Sequence, residues 1–255
     1  MRLLAIDAGN TRIKWGLHDG REWLQRGVTA ADGIGLLPSA LQLEPDCLII
    51  SNVSGPAAEA AFHALFPGLP RYTVRSANAQ CGVTNGYADA AQLGSDRWAA
   101  LIAVHRLNAS DKSGWAPIPV GHNAGMPALV VTAGTALTVD ALHQDRFLGG
   151  IIMPGYRLMH HALGAGTAQL SDMPGKFDVF PKNTLDAISS GCLLAMTGCV
   201  EQMRALMLQQ TGLPAAIWLN GGDAALLAPH FPDARVMEEN LVLTGLYFIA
   251  LEVFA

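Results

Sequence analysis

A six-residue segment recurs once in the chain, and this repeat limits the available folds more than any other feature of the sequence. Residues 6–11, IDAGNT, line up with residues 131–136, VTAGTA, 125 positions later. Each copy follows an apolar run, contains a glycine and precedes a stretch of alternating apolar residues, which is typical of two strands joined by a tight turn. The chain is therefore expected to contain two copies of one plan.

After each hairpin the pattern predicts a third strand, at 22–28 and at 147–153, and then helices alternating with strands. The further elements expected in the first copy are helices over 34–43, 57–66 and 95–107 and strands over 46–51 and 71–74. Those expected in the second copy are helices from 156, over 186–210 and from 239, and a strand over 215–219. Two β-β-β-α-β-α units predict an α/β protein with mixed sheets and a central nucleotide cleft.

Composition adds limits on partners and on domain boundaries. The net charge of -5, without any basic block, argues against extended binding to nucleic acid. Residues 110–127 hold three glycines and three prolines, so we expect domains over 1–110 and 128–255 joined by a connector over 111–127. No segment is apolar enough for a signal peptide or a spanning helix, and we expect a cytoplasmic protein without membrane contact. The 51% apolar content favours a subunit interface.

The segment from Asp7 to Lys14 has the composition of a phosphate loop. The bare backbone at Gly9 lets N–H groups approach a phosphate, Asn10 and Thr11 add donors, and Lys14 adds a positive charge. Asp7 at the strand end suits a hydrated magnesium ion. The alternative is a plain hairpin in which Asp and Asn only satisfy the turn geometry.

The second copy of the loop favours the phosphate loop over the plain hairpin. Two unrelated turns would not be expected to share both a glycine and the same pattern of flanking strands. Gly134 and Thr135 repeat the device, and Gly221-Gly222-Asp223 forms a third glycine turn, suited to adenosine but also common between any strand and helix. The predicted ATP-binding residues are Asp7, Ala8, Gly9, Asn10, Thr11, Arg12, Ile13, Lys14, Gly134, Thr135, Gly221 and Gly222.

The segment Gly94-Ser95-Asp96-Arg97 is expected to open a helix. Asp96 and Arg97 would then stand in a first turn whose N–H groups face solvent or an anion, and a base would lie beside a cation. The alternative is that Asp96 only complements the helix dipole and that Arg97 is a solvated surface charge.

Together these motifs resemble the type III pantothenate kinases of the acetate and sugar kinase, Hsp70 and actin superfamily. The two phosphate loops, Gly221-Gly222-Asp223 and above all residues 94–97 carry the resemblance, and residues 149–155 and 183–184 extend it over nearly the whole chain. It implies two RNase H-like domains, a homodimer, and phosphorylation of pantothenate by ATP as the first step of coenzyme A synthesis.

The resemblance also implies roles for single residues. Asp96 matches the catalytic base, and Gly94, Ser95, Asp96 and Arg97 match the segment that lines the pantothenate pocket. Tyr87 and Thr184 match further pantothenate contacts, although Tyr87 could be an ordinary loop aromatic and Thr184 an ordinary N-cap. We expect Asp7 to hold magnesium through water.

One position departs from the family pattern. The second phosphate loop of the family usually opens with an aspartate that is associated with a monovalent cation, potassium or ammonium, and this chain has Thr132 there. We therefore expect slight potassium dependence unless another acid, such as Asp140, serves. Two other functions stay open: a kinase for another small hydroxy acid, and a non-catalytic nucleotide-binding accessory or regulatory protein.

Overall fold

The computed structural model describes residues 1–109, 126–166, 173–237 and 240–254. The strands are β1 Leu3–Ala8, β2 Arg12–His18, β3 Trp23–Ala30, β4 Cys47–Asn52, β5 Arg71–Thr73, β6 Ala79–Gln80, β7 Val83–Thr84, β8 Ala128–Ala133, β9 Ala136–His143, β10 Arg146–Pro154, β11 Ala216–Asn220 and β12 Arg235–Val236. The α-helices are α1 Leu37–Ala40, α2 Pro56–Leu65, α3 Ser95–Ala109, α4 Tyr156–Gly166, α5 Thr184–Thr211, α6 Ala224–Leu227 and α7 Leu241–Val253.

The chain forms two compact units. The first takes the described residues within Met1–Ala124, Asp145–Phe147 and Glu239–Ala255, and the second takes those within Gly125–Gln144 and Leu148–Glu238. The predicted limits put everything from 128 to 255 in the second domain, and the structure differs by grouping α7 and residues Asp145–Phe147 with the first unit. Most of the predicted connector, 111–125, lies outside the described residues.

The first unit is built on a five-stranded sheet in the order β3-β2-β1-β4-β5. β1 pairs antiparallel with β2 and parallel with β4, so the repeat-derived hairpin lies at the centre of the sheet. Alternate residues of β1 and β2, among them Leu4, Ile6, Ile13 and Leu17, fill the core beneath α2. The predicted hairpin and third strand are therefore confirmed.

Helices α3 and α7 pack closely within the first unit. Residues 98–104 of α3 are all buried, as expected for a helix that is apolar on every side. Gly245 of α7 lies against the Ala99 carbonyl oxygen, where a Cβ would collide. This close approach explains why α7, which is apolar over most of its length, belongs to the first unit rather than the second.

The helix predicted over 34–43 is much shorter than expected. A 3₁₀ turn over Ala31–Leu36 leads into the four-residue α1, and Leu41 is already extended. Two glycines precede Pro38 in this segment, and glycine stabilises a helix poorly while proline removes a backbone donor. The apolar spacing alone predicted a helix because it could not weigh these costs.

The second unit repeats the plan. β8 pairs antiparallel with β9 and parallel with β11, and β11 pairs parallel with β12. The inward residues of these strands pack against α5, a helix capped at its start by Asn183 and ended by Gly212 in the left-handed region. The second predicted hairpin is confirmed. Among the helices described, none is long and apolar enough to span a membrane.

Candidate active site

The turn between β1 and β2 carries the first predicted phosphate loop. The antiparallel register sets Asp7, near the end of β1, opposite Lys14 on β2. The Gly9 N–H donates to the Arg12 carbonyl oxygen at 3.1 Å, which closes a four-residue turn. The two residues inside this turn, Asn10 and Thr11, are exposed, so their donors can reach a ligand.

Two of the predicted ATP-binding residues have other roles in the fold. The Ile13 side chain is 2% exposed and belongs to the core of the first unit. The Ala8 carbonyl oxygen accepts from the Val53 N–H and the Ser54 hydroxyl, both at 3.0 Å. These contacts hold the turn against the segment that follows β4, so the observed contacts of Ile13 and Ala8 serve the fold.

Asp7 is a buried carboxylate whose charged form is disfavoured. Its pKa is raised from 3.8 to about 6, chiefly because burial removes water from the charged form. The Lys14 charge opposes the rise, the Asp96 charge adds to it, and a hydrogen bond from Asn240 opposes it. A carboxylate in this setting is stabilised by a bound cation, and a single carboxylate with water ligands is a common site for magnesium. Asp7 therefore fits the predicted magnesium ligand.

Asn240 is a site residue that sequence analysis missed. Its Nδ2 donates to Asp7 Oδ2 at 3.3 Å, while its Oδ1 accepts from the Val242 N–H at 2.8 Å and so caps α7. The sequence predicted a helix near this position, so an N-cap asparagine was foreseeable. The contact with Asp7 was not, because the two residues are 233 positions apart.

The first turn of α3 presents Asp96, as predicted. Asp96 is half-buried, and its Oδ1 accepts from the Arg97 N–H at 2.8 Å. A Cβ on Gly94 would lie 2.6 Å from that same oxygen, so glycine at this position leaves room for the carboxylate. Ser95 Oγ lies 2.9 Å from Ser51 Oγ at the end of β4.

Ser51 also explains why Asp7 and Asp96 influence each other. Ser51 stands beside Asp7 in the parallel pairing of β1 with β4. The hydroxyl contact between Ser51 and Ser95 thus ties the start of α3 to the strand next to Asp7. Two carboxylates converge at one edge of the first sheet, which is an arrangement suited to holding a cation and to accepting a proton.

Arg97 lies in an aromatic setting and is not a solvated surface charge. It is 7% exposed, its Nη1 donates to the Tyr87 hydroxyl at 3.2 Å, and its Cζ lies 5.8 Å and 5.9 Å from the ring centroids of Tyr87 and Phe147. Asn85 Oδ1 accepts from the Tyr87 N–H and fixes the loop. A guanidinium held this way is well suited to a ligand carboxylate.

The turn between β8 and β9 carries the second predicted loop. The Gly134 N–H donates to the Ala136 carbonyl oxygen at 3.0 Å, which closes a three-residue turn. The Thr135 carbonyl oxygen accepts from the Gly155 N–H at 2.9 Å, and a Cβ on Gly155 would collide with the Gly134 carbonyl oxygen. Gly155 therefore allows the start of α4 to pack directly on the loop. The local sequence pattern does not indicate this role.

The third glycine turn packs on the same loop. Gly221 has φ +107° and approaches the Ala133 carbonyl oxygen so closely that a Cβ would collide with it. That oxygen accepts from the Asp223 N–H at 3.0 Å, and Asp223 pairs with Arg157 of α4 at 3.5 Å. Gly222 has open space around it. Glycine at 221 is thus required by both conformation and space.

Thr184 is exposed at the start of α5 in the second unit. The helix is capped by its neighbour Asn183, whose side chain accepts from the Asp186 N–H, so the alternative that Thr184 is the N-cap is wrong. Within the first unit the structure brings together Asp7, Lys14, Tyr87, Asp96 and Arg97, and within the second it brings together Gly134, Thr135, Gly221 and Gly222.

The architecture defines a class of protein. A Baf family protein from Campylobacter jejuni matches 98% of this chain and 98% of its own with a TM-score of 0.58 at 19% identity. Glucokinase from Balamuthia mandrillaris matches 97% and 93% with a TM-score of 0.56 at 14% identity. MreB5 of Spiroplasma citri matches 99% and 97% with a TM-score of 0.51 at 9% identity. The chain has the fold of the sugar kinases and actin-like ATPases, as predicted.

Sequence comparison narrows the class to one family. The family model of type III pantothenate kinase matches residues 3–205. A type III pantothenate kinase of Nitrosospira multiformis is 42% identical over 98% of this chain and 91% of its own length. One from Methylobacillus flagellatus is 41% identical over 97% of each. The chain belongs to the type III pantothenate kinase family, and it is a kinase.

Proposed function

We propose that the chain transfers a phosphoryl group from ATP to the primary hydroxyl of pantothenate and that Asp96 is the catalytic base. The product, 4'-phosphopantothenate, is the first intermediate of coenzyme A synthesis. The observation that carries the assignment is the first turn of α3, where a half-buried carboxylate precedes a buried guanidinium. The neighbouring buried carboxylate of Asp7 supplies a ligand for the magnesium ion that phosphoryl transfer uses.

Asp96 and Arg97 divide the work on the acceptor. Arg97, positioned by Tyr87, binds the pantothenate carboxylate, and Asp96 accepts the proton of the primary hydroxyl. The hydroxyl oxygen then bonds to the γ-phosphorus while the bond from that phosphorus to the β–γ bridging oxygen breaks and ADP leaves. Such a reaction depends on positioning and charge neutralisation more than on covalent catalysis.

On the nucleotide side, Asp7 would hold a magnesium ion through water, and such an ion would supply positive charge beside the phosphates. Asn10, Thr11 and Lys14 of the first loop bind phosphate oxygens, and the bare backbone at Gly9 lets the phosphate approach. In the second unit Gly134 and the exposed Thr135 line the phosphate site, and Gly221 and Gly222 approach adenosine. The exposure of Asn10, Thr11 and Thr135 and the open space around Gly222 support these assignments, because a ligand can reach these residues.

The second unit also supports assembly as a homodimer. Several large apolar side chains are exposed on β10, on α5 and in the segment between α4 and α5: Ile152 at 62%, Leu194 at 50%, Val179 at 65% and Phe180 at 74%. Exposed apolar surface of this kind is typical of an association site. A fully active monomer at micromolar concentration in light scattering would contradict the dimer.

The test of the proposed activity is a coupled assay of ADP release with pantothenate, run beside glycerol, acetate and common sugars. Among these acceptors, we expect turnover only with pantothenate. Asp96→Asn should lower kcat by about 10²- to 10⁴-fold, the usual contribution of a general base, while leaving nucleotide binding intact. Near-normal turnover by Asp96→Asn would refute the assignment of the base.

A second experiment tests the role of Arg97. The natural enzyme should turn over pantothenate far better than the analogue in which the carboxylate is reduced to an alcohol, because only the acid can pair with the guanidinium. Arg97→Leu should raise KM for pantothenate and abolish this preference. Equal turnover of the acid and the alcohol by the natural enzyme would contradict the proposal that Arg97 binds the pantothenate carboxylate.

A further inference from the structure

Two buried polar atoms at the loop end of the second sheet have no partner among the described residues. They are Nδ2 of Asn220, the last residue of β11, and Oγ1 of Thr138 on β9. Asn220 is 3% exposed. Buried donors without a partner are rare in folded proteins and cost stability unless something completes them.

These two residues belong to one polar row across the sheet. Thr132 on the central strand β8 is in register with Asn220 on one side and with Thr138 on the other. Residues in register on neighbouring strands project from the same face. The alternate residues Val131 and Leu219 point into the core, so the polar row faces the other way.

The row lies directly beside the predicted phosphate loop. Thr132 precedes the turn that contains Gly134, and Asn220 precedes Gly221, whose backbone packs on Ala133 of that turn. Chain geometry thus places the unpartnered Asn220 donor beside the loop, next to the position proposed for an ATP phosphate. A phosphate oxygen is an acceptor, which is what the orphaned N–H requires.

A monovalent cation does not fit the same row. The row offers a partly positive amide donor and two neutral hydroxyls, and none of its members carries a negative charge. Asp140 is one row further along β9, opposite Val130, which places it about 7 Å away at the usual strand rise. Asp140 is also engaged in interactions of its own. The residues present therefore disagree with a potassium or ammonium ion at this loop.

We propose that Asn220 donates from Nδ2 to an ATP phosphate oxygen beside the second loop, and that this neutral row replaces monovalent-cation activation in this enzyme. The inference rests on the proposed function, whose nucleotide site it refines. It makes Asn220 a nucleotide-binding residue and Thr132 and Thr138 its neutral neighbours.

The first experiment uses the natural protein. Initial rates of pantothenate phosphorylation are measured in potassium, ammonium, sodium and tetramethylammonium at equal ionic strength. We expect the four rates to agree within about twofold, because a site without a cation gains nothing from a particular ion. Activation of tenfold or more by potassium over tetramethylammonium would overturn the inference.

The second experiment measures nucleotide binding without turnover. The ATP analogue with an imido bridge between the β- and γ-phosphates is titrated calorimetrically in tetramethylammonium, without pantothenate. Asn220→Asp, which replaces the donor with a carboxylate of the same shape, should weaken binding by about tenfold or more, as expected for a lost hydrogen bond to a charged group. Potassium should restore part of that loss.

Trp218→Phe is the matched control, since Trp218 also lies on β11, one row away, and its Nε1 is also buried without a partner among the described residues. It should bind the analogue within twofold of the natural protein. Thermal melting of both variants establishes that they fold, and Asn220→Ser replaces Asn220→Asp if the carboxylate prevents folding. Unchanged binding by the Asn220 variant, or equal losses in both, would overturn the inference.

The two proposals fail in different ways. Absence of phosphorylated product from pantothenate would contradict the proposed function whatever the cation. Product formation with a strong potassium requirement would contradict only the role of Asn220. Absence of any binding of the analogue to the natural protein would contradict both.

Discussion

The two hairpin turns share a backbone arrangement, a glycine N–H that closes the turn, and differ in charge. In the first, Asp7 stands opposite Lys14 across a four-residue turn, and in the second Thr132 stands opposite Thr138 across a three-residue turn. The shorter turn reduces the offset between the copies from 125 to 124 on the second strand. The duplication thus preserved the path of the chain while the chemistry at matching positions diverged.

The shared arrangement extends beyond the turns. The Ala8 carbonyl oxygen accepts from the N–H of Val53, just after β4, and the Ala133 carbonyl oxygen accepts from the N–H of Asp223, just after β11. Each loop is therefore locked by the segment that follows the neighbouring parallel strand. What differs is what each loop offers a ligand: a buried carboxylate in the first and neutral hydrogen-bonding groups in the second.

The largest difference between the two loops is expected in the free energy of unfolding when a glycine that packs on each loop is replaced. Gly155→Ala places a Cβ onto the Gly134 carbonyl oxygen, a backbone collision, and should lower the free energy of unfolding by about 3 kcal/mol or more. Gly9→Ala places its Cβ 3.1 Å from the Arg12 carbonyl oxygen and should cost about 1 kcal/mol. Denaturant unfolding measures both.

The control for the glycine pair is Gly198→Ala, on the exposed side of α5, where a Cβ meets no atom within 4 Å. It should be neutral or stabilising by about 0.5–1 kcal/mol, because alanine favours a helix over glycine. A Gly155→Ala protein as stable as the natural one would show that the second loop is not held by this close approach.

The charge difference predicts that stability depends on pH through the first loop and not through the second. The pKa of Asp7 is raised to about 6 in the folded state, so between its unfolded value near 3.8 and about 6 the folded protein keeps a proton that the unfolded chain releases. The free energy of unfolding therefore falls as pH rises through this window. Asp7→Asn should be more stable than the natural protein at pH 7.5 by about 2–3 kcal/mol, and the gain should vanish below about pH 4.

Thr132→Val provides the comparison in the second loop, and its effect on stability should not vary with pH, since no ionisable group is replaced. Thermal melts across pH 4–8 distinguish the two. Loss of stability in Asp7→Asn at pH 7.5, or a gain that persists in acid, would contradict the burial of a charged carboxylate in the first loop.

A smaller effect is expected at Asn240. Asn240→Ala removes a helix cap and a donor to Asp7, so it should cost about 1 kcal/mol of stability and raise the pKa of Asp7 further. Since the proposed magnesium ligand is the ionised form of Asp7, the acid limb of kcat/KM for ATP should then move to higher pH.

Asn183→Ala is the control for Asn240, because Asn183 caps α5 in the same way. It should cost similar stability without moving the pH profile of kcat/KM. Equal shifts of the profile in the two variants would reduce Asn240 to a plain helix cap.

The sequence predicted the repeated hairpins and the start of α3 because both depend on local features: apolar alternation, a glycine in a turn, and small polar residues before a helix. It also led to Asp7, Asp96 and Arg97. Each of these residues stands in a short motif that can be recognised from its neighbours in the chain. The family resemblance supplied the role of each residue.

Other features depend on contacts between distant segments. Asn240 reaches Asp7, Phe147 lies beside Tyr87 and Arg97, and Gly155 packs on Gly134. No pattern of neighbouring residues encodes these pairings. The placement of α7 in the first unit is of the same kind, since it follows from packing on α3.

The most direct test of the account compares one substitution in each loop. Asp7→Asn and Thr132→Asn place the same side chain at matching positions, and kcat/KM for ATP in pantothenate phosphorylation is measured for both at pH 7.5. Because the first loop carries the carboxylate that we propose as the magnesium ligand, Asp7→Asn should lose about 100-fold or more while Thr132→Asn loses less than about fivefold. Equal losses, or a larger loss at Thr132, would contradict the division of charge between the two loops.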